Sequence, residues 1–145
     1  MPIVGFNFDK IIIEKLPNKK QDLSNVNIKN NFGIKEVEED KIPFGNQDDI
    51  LKFTFEYTVE YEPKVGIMSF KGTILYLEET KKLKEAYKGW KKDKKLPDPL
   101  MSLLLNTIIT RCNIKALTFS QDVNLPPNIP LPQITPGQKP ENYIG

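Results

Sequence analysis

The strongest constraint on the fold is a strict alternation of apolar and polar residues over positions 50–62. The apolar positions are Leu51, Phe53, Phe55, Tyr57, Val59 and Tyr61, and the polar ones are Lys52, Thr54, Glu56, Thr58, Glu60 and Glu62. Side chains of a β-strand point alternately to its two faces, so this pattern predicts a strand with one buried and one solvated face. The short turn Glu62-Pro63-Lys64 favours an antiparallel hairpin with a strand over residues 65–78.

Two earlier segments, residues 3–16 and 26–38, also have strand patterns, and the alternation is imperfect in two of the four strands. In the first strand, Phe6, Phe8, Ile12 and Leu16 fall on one face with Ile11 and Ile13 opposite, which predicts either cover on both sides or a bulge. In the last strand, Met68, Phe70, Ile74 and Tyr76 share a face while Leu75 and Leu77 lie opposite. A bulge at Gly72 or a second packed surface, such as another subunit, would explain this.

Helical patterns follow the strands. Thr80 is a candidate N-cap for a helix that ends near Trp90, with its apolar stripe at Leu83, Ala86, Tyr87 and Trp90. Asp98 is a candidate cap for a second helix over residues 99–112, which is apolar nearly all round and is therefore expected to be covered on most sides. A further helical stretch spans residues 113–123. The segment after Asn124 is rich in proline and predicts an extended chain whose first part is docked through Leu125, Ile129 and Leu131.

These elements predict an α+β fold, a four-stranded antiparallel sheet packed against C-terminal helices. Residues 1–133 are expected to form a single domain, and residues 134–145 a proline-containing, flexible tail. The single cysteine, Cys112, permits no internal disulfide and reads as a small buried hydrophobe, while the N-terminus lacks a signal-peptide pattern. A cytoplasmic, soluble protein is expected.

The chain lacks the usual side chains of catalysis and metal binding. It contains no histidine, no pair of cysteines and no glycine-rich phosphate loop. The acidic run at Glu36, Glu38, Glu39 and Asp40 lacks the spacing of a calcium loop. We therefore expect no enzyme activity, no cofactor and no metal site.

Charge gives a weaker indication of partners. The net charge is +2, and of 21 basic residues only Arg111 is an arginine, which argues against nucleic acid as the main partner. A lysine cluster between Lys81 and Lys95 is interpreted first as the solvated face of a helix, and a contact with phosphate or an acidic partner is the alternative.

The order of elements, together with two short motifs, resembles the SecB family of export chaperones. The run Ile11-Ile12-Ile13-Glu14-Lys15-Leu16-Pro17-Asn18 occupies the place where that family has the end of its first strand and a Pro-Asn crossover loop. Pro126, Pro127 and Pro132 reproduce the spacing of the prolines that follow its long helix. The family's Asn-Phe after those prolines is replaced here by Gln133-Ile134.

This resemblance implies a homotetrameric, ATP-independent chaperone that holds unfolded or precursor polypeptides in apolar grooves, with a role in protein transport. By position, it implies polypeptide binding by Leu16, Leu23, Phe32, Leu117, Phe119 and Val123, and docking of a partner on Glu56, Glu60 and Glu62. The alternative is a non-catalytic structural or interaction subunit of a larger assembly, in which the lysine cluster keeps a ribonucleoprotein version open.

Overall fold

The computed structural model describes residues 3–17, 26–41, 49–132, 134, 136 and 137. Its elements, in chain order, are β1 (Ile3–Lys15), β2 (Asn27–Lys41), β3 (Asp49–Glu62), β4 (Gly66–Leu77), α1 (Thr80–Asp93) and α2 (Asp98–Asp122). The predicted α+β class and the order of four strands before the helices are confirmed. Leu23, and most of the predicted tail at residues 134–145, lie outside the described residues.

The four strands form one antiparallel sheet in the order β1-β4-β3-β2. β3 and β4 are the inner strands and are joined by the predicted hairpin, in which the Val65 amide donates to the Tyr61 carbonyl at 2.9 Å. Their pairing is regular, with Tyr57 opposite Phe70, so residues that share the apolar register lie on the same face. The alternation in the sequence therefore fixes the inner hairpin, and β1 and β2 are the two edges of the sheet.

The sequence offered a bulge in the first strand and a bulge at Gly72 in the last strand, and the structure has a bulge in β1 opposite Gly72. Phe8 pairs with Gly72 and Lys10 with Lys71, so Asp9 is an extra residue in β1. The predicted bulge at Gly72 is wrong, because β4 pairs with β3 without a register shift.

The same bulge corrects the predicted faces of β1. Since one extra residue inverts the alternation, Ile11 lies opposite the buried Phe70 on the face that also carries Phe6 and Phe8. Ile12 lies opposite Ser69 on the other face, and its predicted position beside Phe6 and Phe8 is wrong.

The helices pack on one face of the sheet and bury its apolar side. α1 contributes Leu83, Ala86 and Trp90 to this core, which confirms its predicted stripe. The predicted caps are wrong: Glu79 and Pro97 occupy the N-cap positions, and Thr80 and Asp98 are the first residues of their helices. Neither cap makes a side-chain hydrogen bond to the helix, so packing rather than capping fixes where the helices begin.

The two predicted helical stretches after Asp98 form one continuous helix of 25 residues. Its buried side is a single row four residues apart: Leu100, Leu104, Ile108, Cys112, Ala116 and Ser120. Over residues 99–112, which were expected to be covered on most sides, the apolar residues of the helix are buried or half-buried. Beyond that range, Ile114 is 62% exposed. The helix thus carries apolar residues that the chain itself does not cover.

Candidate functional site

A groove lies between edge strand β2 and the proline-rich segment after α2. Its volume is about 620 Å³, and it is lined by Ile28, Asn30, Pro127, Asn128, Ile129, Pro130, Leu131 and Pro132. Proline fixes an extended backbone and donates no hydrogen bond, so this wall cannot collapse into a helix. The groove is open and mainly apolar, as a site for an apolar segment of a polypeptide would be.

The proline segment is held in place by its first residues. Leu125 is buried, and its amide donates to the Ser120 carbonyl at 2.8 Å. The Tyr61 hydroxyl donates to the Pro126 carbonyl at 2.7 Å. This confirms that the first part of the segment is docked, although Leu131 remains largely exposed at the mouth of the groove.

A buried polar cluster anchors the inner wall of the groove. The Tyr57 hydroxyl donates to the side-chain oxygen of Asn113, and the side-chain nitrogen of Asn128 donates to the Tyr57 hydroxyl at 3.1 Å. Asn128 is 4% exposed, and its side-chain oxygen has no hydrogen-bond partner among the described residues. Burial raises the pKa of Tyr57, which keeps the hydroxyl protonated and able to donate. The cluster therefore ties β3, α2 and the proline segment together at one point.

A second cavity, of about 400 Å³, lies farther along β2 where that strand meets the end of α1. It is lined by Lys35, Glu36, Val37, Glu38, Trp90, Lys91 and Lys94. Val37 and Trp90 are buried and form its apolar part, and the lysines and glutamates are exposed at its rim. Strand β2 thus lines one cavity at Ile28 and Asn30 and another over residues 35–38.

Between the two cavities, β2 presents Phe32, which is 43% exposed although it lies opposite the buried Tyr57. Its position on β2 places this predicted binding residue beside the groove. An exposed aromatic side chain in the register of the core is the kind of surface that binds an apolar partner.

The other predicted binding residues lie apart from Phe32. Phe119 and Val123 pack against the core from the last turns of α2, and the Phe119 ring stacks on Phe70 with 6.2 Å between ring centroids. Leu117 is half-buried on the same helix, and Leu16 is half-buried just after β1. The predicted set is therefore spread over β1, β2 and α2, and of the described members only Phe32 belongs to the strand that lines the groove.

The three acidic residues predicted to dock a partner lie on the sheet face opposite the helices. Glu56, Glu60 and Glu62 are half-exposed and alternate with the buried residues of β3. Glu62 forms an ion pair with Lys29 of β2 at 3.3 Å, so part of its charge is compensated. Lysines of neighbouring strands lie among these acids, since Lys29 pairs with Glu60 and Lys71 with Glu56.

Sequence reasoning missed the polar cluster and the lining of the groove. Asn113 resembles an ordinary polar residue of a helix, and Asn128 an ordinary residue of a proline-rich loop. One signal was available: an asparagine among prolines in a segment predicted to dock must bury its side chain or point it outward. Nothing in the sequence decides between these, because the partner, Tyr57, is 71 residues away.

The described residues contain no group of three or more His, Cys, Asp or Glu side chains that could hold a metal ion. Cys112 is buried, and burial raises the pKa of its thiol to about 12. A thiol with such a pKa is a poor nucleophile at neutral pH. No described helix is both long enough and apolar enough to cross a membrane.

Comparison with known proteins shows similarity in fold alone. No protein-family model matches the chain, and no curated protein matches it in sequence. A solved structure does match: the SecB-like chaperone Rv1957 of Mycobacterium tuberculosis, in complex with a ChAD peptide from the Rv1956 HigA1 antitoxin. The TM-score is 0.53 and the sequence identity 8%, and the match covers 94% of this chain and 91% of the other. The chain therefore has a SecB-like fold, as its strand order and proline spacing had indicated.

Proposed function

We propose that this protein is a SecB-like, ATP-independent chaperone that holds unfolded or precursor polypeptides. The observation that carries the proposal is the open apolar groove of about 620 Å³ between β2 and the proline segment. The groove offers apolar side chains to a client and is bounded by an edge strand, which suits an extended polypeptide. The similarity in fold to a SecB-like chaperone solved with a peptide supports this reading.

The proposal includes self-association, and a tetramer is the expected state. Two apolar surfaces of the single chain support it. One is the outer side of α2, marked by the exposed Ile114, and the other is edge strand β1, where Val4 is 51% exposed. Copies of the chain that pack on these two elements would cover both residues. A cytoplasmic location and use in protein transport belong to the same proposal, and the single buried thiol fits a reducing compartment.

The test is suppression of aggregation. A denatured model client is diluted into buffer with the purified protein at equal molar ratio, without nucleotide, and light scattering is followed over time. We expect scattering to fall strongly. We expect a Phe32→Asp/Ile129→Asp variant to lose the effect, because charge in the groove at Ile129 and beside it at Phe32 opposes burial of apolar client residues. Unchanged scattering with the folded protein at equal or higher ratio would contradict the proposal.

The alternative, a structural subunit of a larger assembly, rests on one remaining observation. The exposed lysines of α1 could contact an acidic partner or phosphate groups. The proline segment supports this alternative less well, because it is docked on its own sheet through Leu125 and is not free to dock on a partner. Copurification with a defined assembly at fixed stoichiometry would favour this alternative.

A further inference from the structure

The lysines of α1 and the loop after it form a cluster that the rest of the described chain does not neutralise. Its members, all exposed, are Lys81, Lys82, Lys84, Lys88, Lys91, Lys92, Lys94 and Lys95, and two exposed acids, Glu85 and Asp93, lie among them. Like charges four residues apart, such as Lys84 and Lys88, weaken a helix. Among the described residues the ion pair found is Lys29 with Glu62, which lies on other elements. Repulsion among these lysines thus lowers the stability of the folded chain unless a partner compensates their charge.

One end of this cluster opens onto the second cavity of β2. Lys91 and Lys94 come to that cavity from α1, and Lys35 comes from β2, where it is the extra residue of a bulge between Ile34 and Glu36. Lys91 also lies over the Tyr87 ring, with its Nζ 5.4 Å from the ring centroid, which holds the ammonium group near the cavity. Three lysines therefore line one cavity beside the edge strand.

The two acidic residues at this cavity do not cancel that arrangement. Glu36 pairs with Thr54 and Glu38 with Lys52, which places both in the register of the sheet face opposite the helices. The lysines of α1 lie on the helix side of the sheet. A chain bound along the helix side of β2 would therefore meet Lys91 and Lys94 before it meets glutamates. Lys35 borders this cavity and also a cavity that Glu56 lines.

The apolar groove and the second cavity, with its three lysines, lie along the same strand at a fixed separation. Asn30 lines the groove and Lys35 lines the second cavity, five positions apart, which corresponds to roughly 17 Å of extended chain. Building on the chaperone function proposed above, we propose that this protein selects client segments in which an apolar stretch is flanked, about five residues away, by acidic residues. The apolar stretch occupies the groove and the carboxylates contact Lys35, Lys91 and Lys94.

An acidic polypeptide fits these features better than nucleic acid does. The site combines lysines with an apolar groove lined by Ile28, Ile129 and Leu131. A phosphate backbone is charged and would not bind in that groove. None of the three lysines can provide the planar, two-point contact with which arginine reads bases and phosphates. An apolar peptide that carries carboxylates can fill the groove with its apolar side chains and pair its carboxylates with the lysines.

Binding of labelled peptides, followed by fluorescence anisotropy, tests this. The peptides are about fourteen residues long, so that they span both cavities in extended form, and share one apolar core. They differ in carrying three Glu, three Gln or three Lys about five residues from that core. Each is made with the flank at either end, since an edge strand can be followed in both directions.

We expect the Glu peptide, with its flank at one of the two ends, to bind roughly five- to tenfold tighter than the Gln peptide at low salt. The Lys peptide should bind most weakly. The difference should shrink between about 50 mM and about 300 mM salt, because salt screens exposed charges.

A matched pair of variants locates the effect. Lys91→Gln/Lys94→Gln should erase the preference for Glu, while Lys81→Gln/Lys82→Gln removes the same charge at the far end of α1 and should leave it intact. Equal binding of the Glu and Gln peptides would overturn this inference and leave the chaperone proposal standing. Displacement of the Glu peptide by a uridine oligonucleotide at lower concentration than by free Glu peptide would also overturn it. If no peptide binds, the chaperone proposal itself is wrong.

Discussion

The ring of Phe55 on β3 lies directly over Gly72 on β4, in the space that a side chain at position 72 would need. A Cβ built at Gly72 would be 2.7 Å from Cζ of Phe55 and 2.0 Å from the carbonyl oxygen of Asn7 on β1. The backbone of β1 cannot move aside without losing its pairing. Glycine at position 72 is therefore required by packing, not by backbone conformation.

Gly72→Ala should destabilise the protein more than a typical core substitution. Overpacking a close-packed core costs about 1–3 kcal/mol, and contact with backbone puts this site at or above the upper end. Urea unfolding followed by circular dichroism measures the loss. Gly33→Ala is the matched control, because nothing lies within 4 Å of a Cβ built at that strand position, and we expect its midpoint to be unchanged or slightly raised. Equal midpoints for the two variants would contradict the packing described above.

Tyr57→Phe should lower the free energy of unfolding by about 1–3 kcal/mol. The substitution keeps the ring but removes the hydroxyl, so the Asn113 oxygen and the Asn128 nitrogen are left with the longer bond between them, at 3.4 Å, inside the core. Tyr76→Phe is the control, since that hydroxyl reaches the half-exposed Glu78 at 3.3 Å, and water can replace the bond. Chemical denaturation of both variants gives the comparison, and a larger loss for Tyr76→Phe would rule out the structural role given to the cluster.

Phe32→Ser should weaken client holding with little change in stability. The ring is 43% exposed beside the groove, so its removal costs the fold little apolar burial but removes apolar surface from the binding site. Ile134→Ser is the control, because Ile134 is 60% exposed and is not among the residues that line the groove. Aggregation suppression and urea midpoints are measured for both. An equal loss of aggregation suppression in the two variants would show that Phe32 has no particular role in binding the client.

Ile114→Glu should lower the solution mass of the protein if copies of the chain pack on the outer side of α2. A charged side chain at an apolar interface is strongly unfavourable, whereas at a 62% exposed position it disturbs a monomer little. Asn106→Glu adds the same charge at another exposed position of the helix and should leave the mass closer to that of the parent. Light scattering distinguishes a fourfold multiple of 16.7 kDa from smaller species. If the parent protein is already monomeric, copies of the chain do not pack on α2, and the proposed interface is wrong.

Alkaline pH should destabilise the fold through Cys112. Burial raises the pKa of its thiol from 9.0 to about 12, so between these values the unfolded chain loses the proton while the folded chain keeps it. The unfolded state is then favoured as pH rises, and stability should fall progressively from about pH 9 towards pH 12. Cys112→Ala should show a shallower fall, although Tyr61, whose pKa is also raised to about 12, still contributes. Urea midpoints at several pH values give the slopes, and equal slopes would show that the thiol is not protected.

The sequence was informative wherever a pattern is local. The alternation on β3 predicted its buried face, and the stripe on α1 predicted that Trp90 is part of the core. It was uninformative where distant residues meet. The bulge at Asp9 depends on how β1 pairs with β4, and a run of three isoleucines fits either face. The Tyr57–Asn128 contact depends on where the proline segment docks, which no short-range pattern encodes.

Both edge strands carry extra residues, Val4 and Asp9 in β1 and Lys35 in β2, while the inner hairpin is regular. A uniform antiparallel strand can slide by two residues and still present the same face, so its alignment is weakly determined. A bulge removes that freedom, because sliding would force the extra residue opposite a position that has no room for it. The two outer strands are thereby locked in a single alignment, and the surfaces built on β2 keep a constant spacing along the strand.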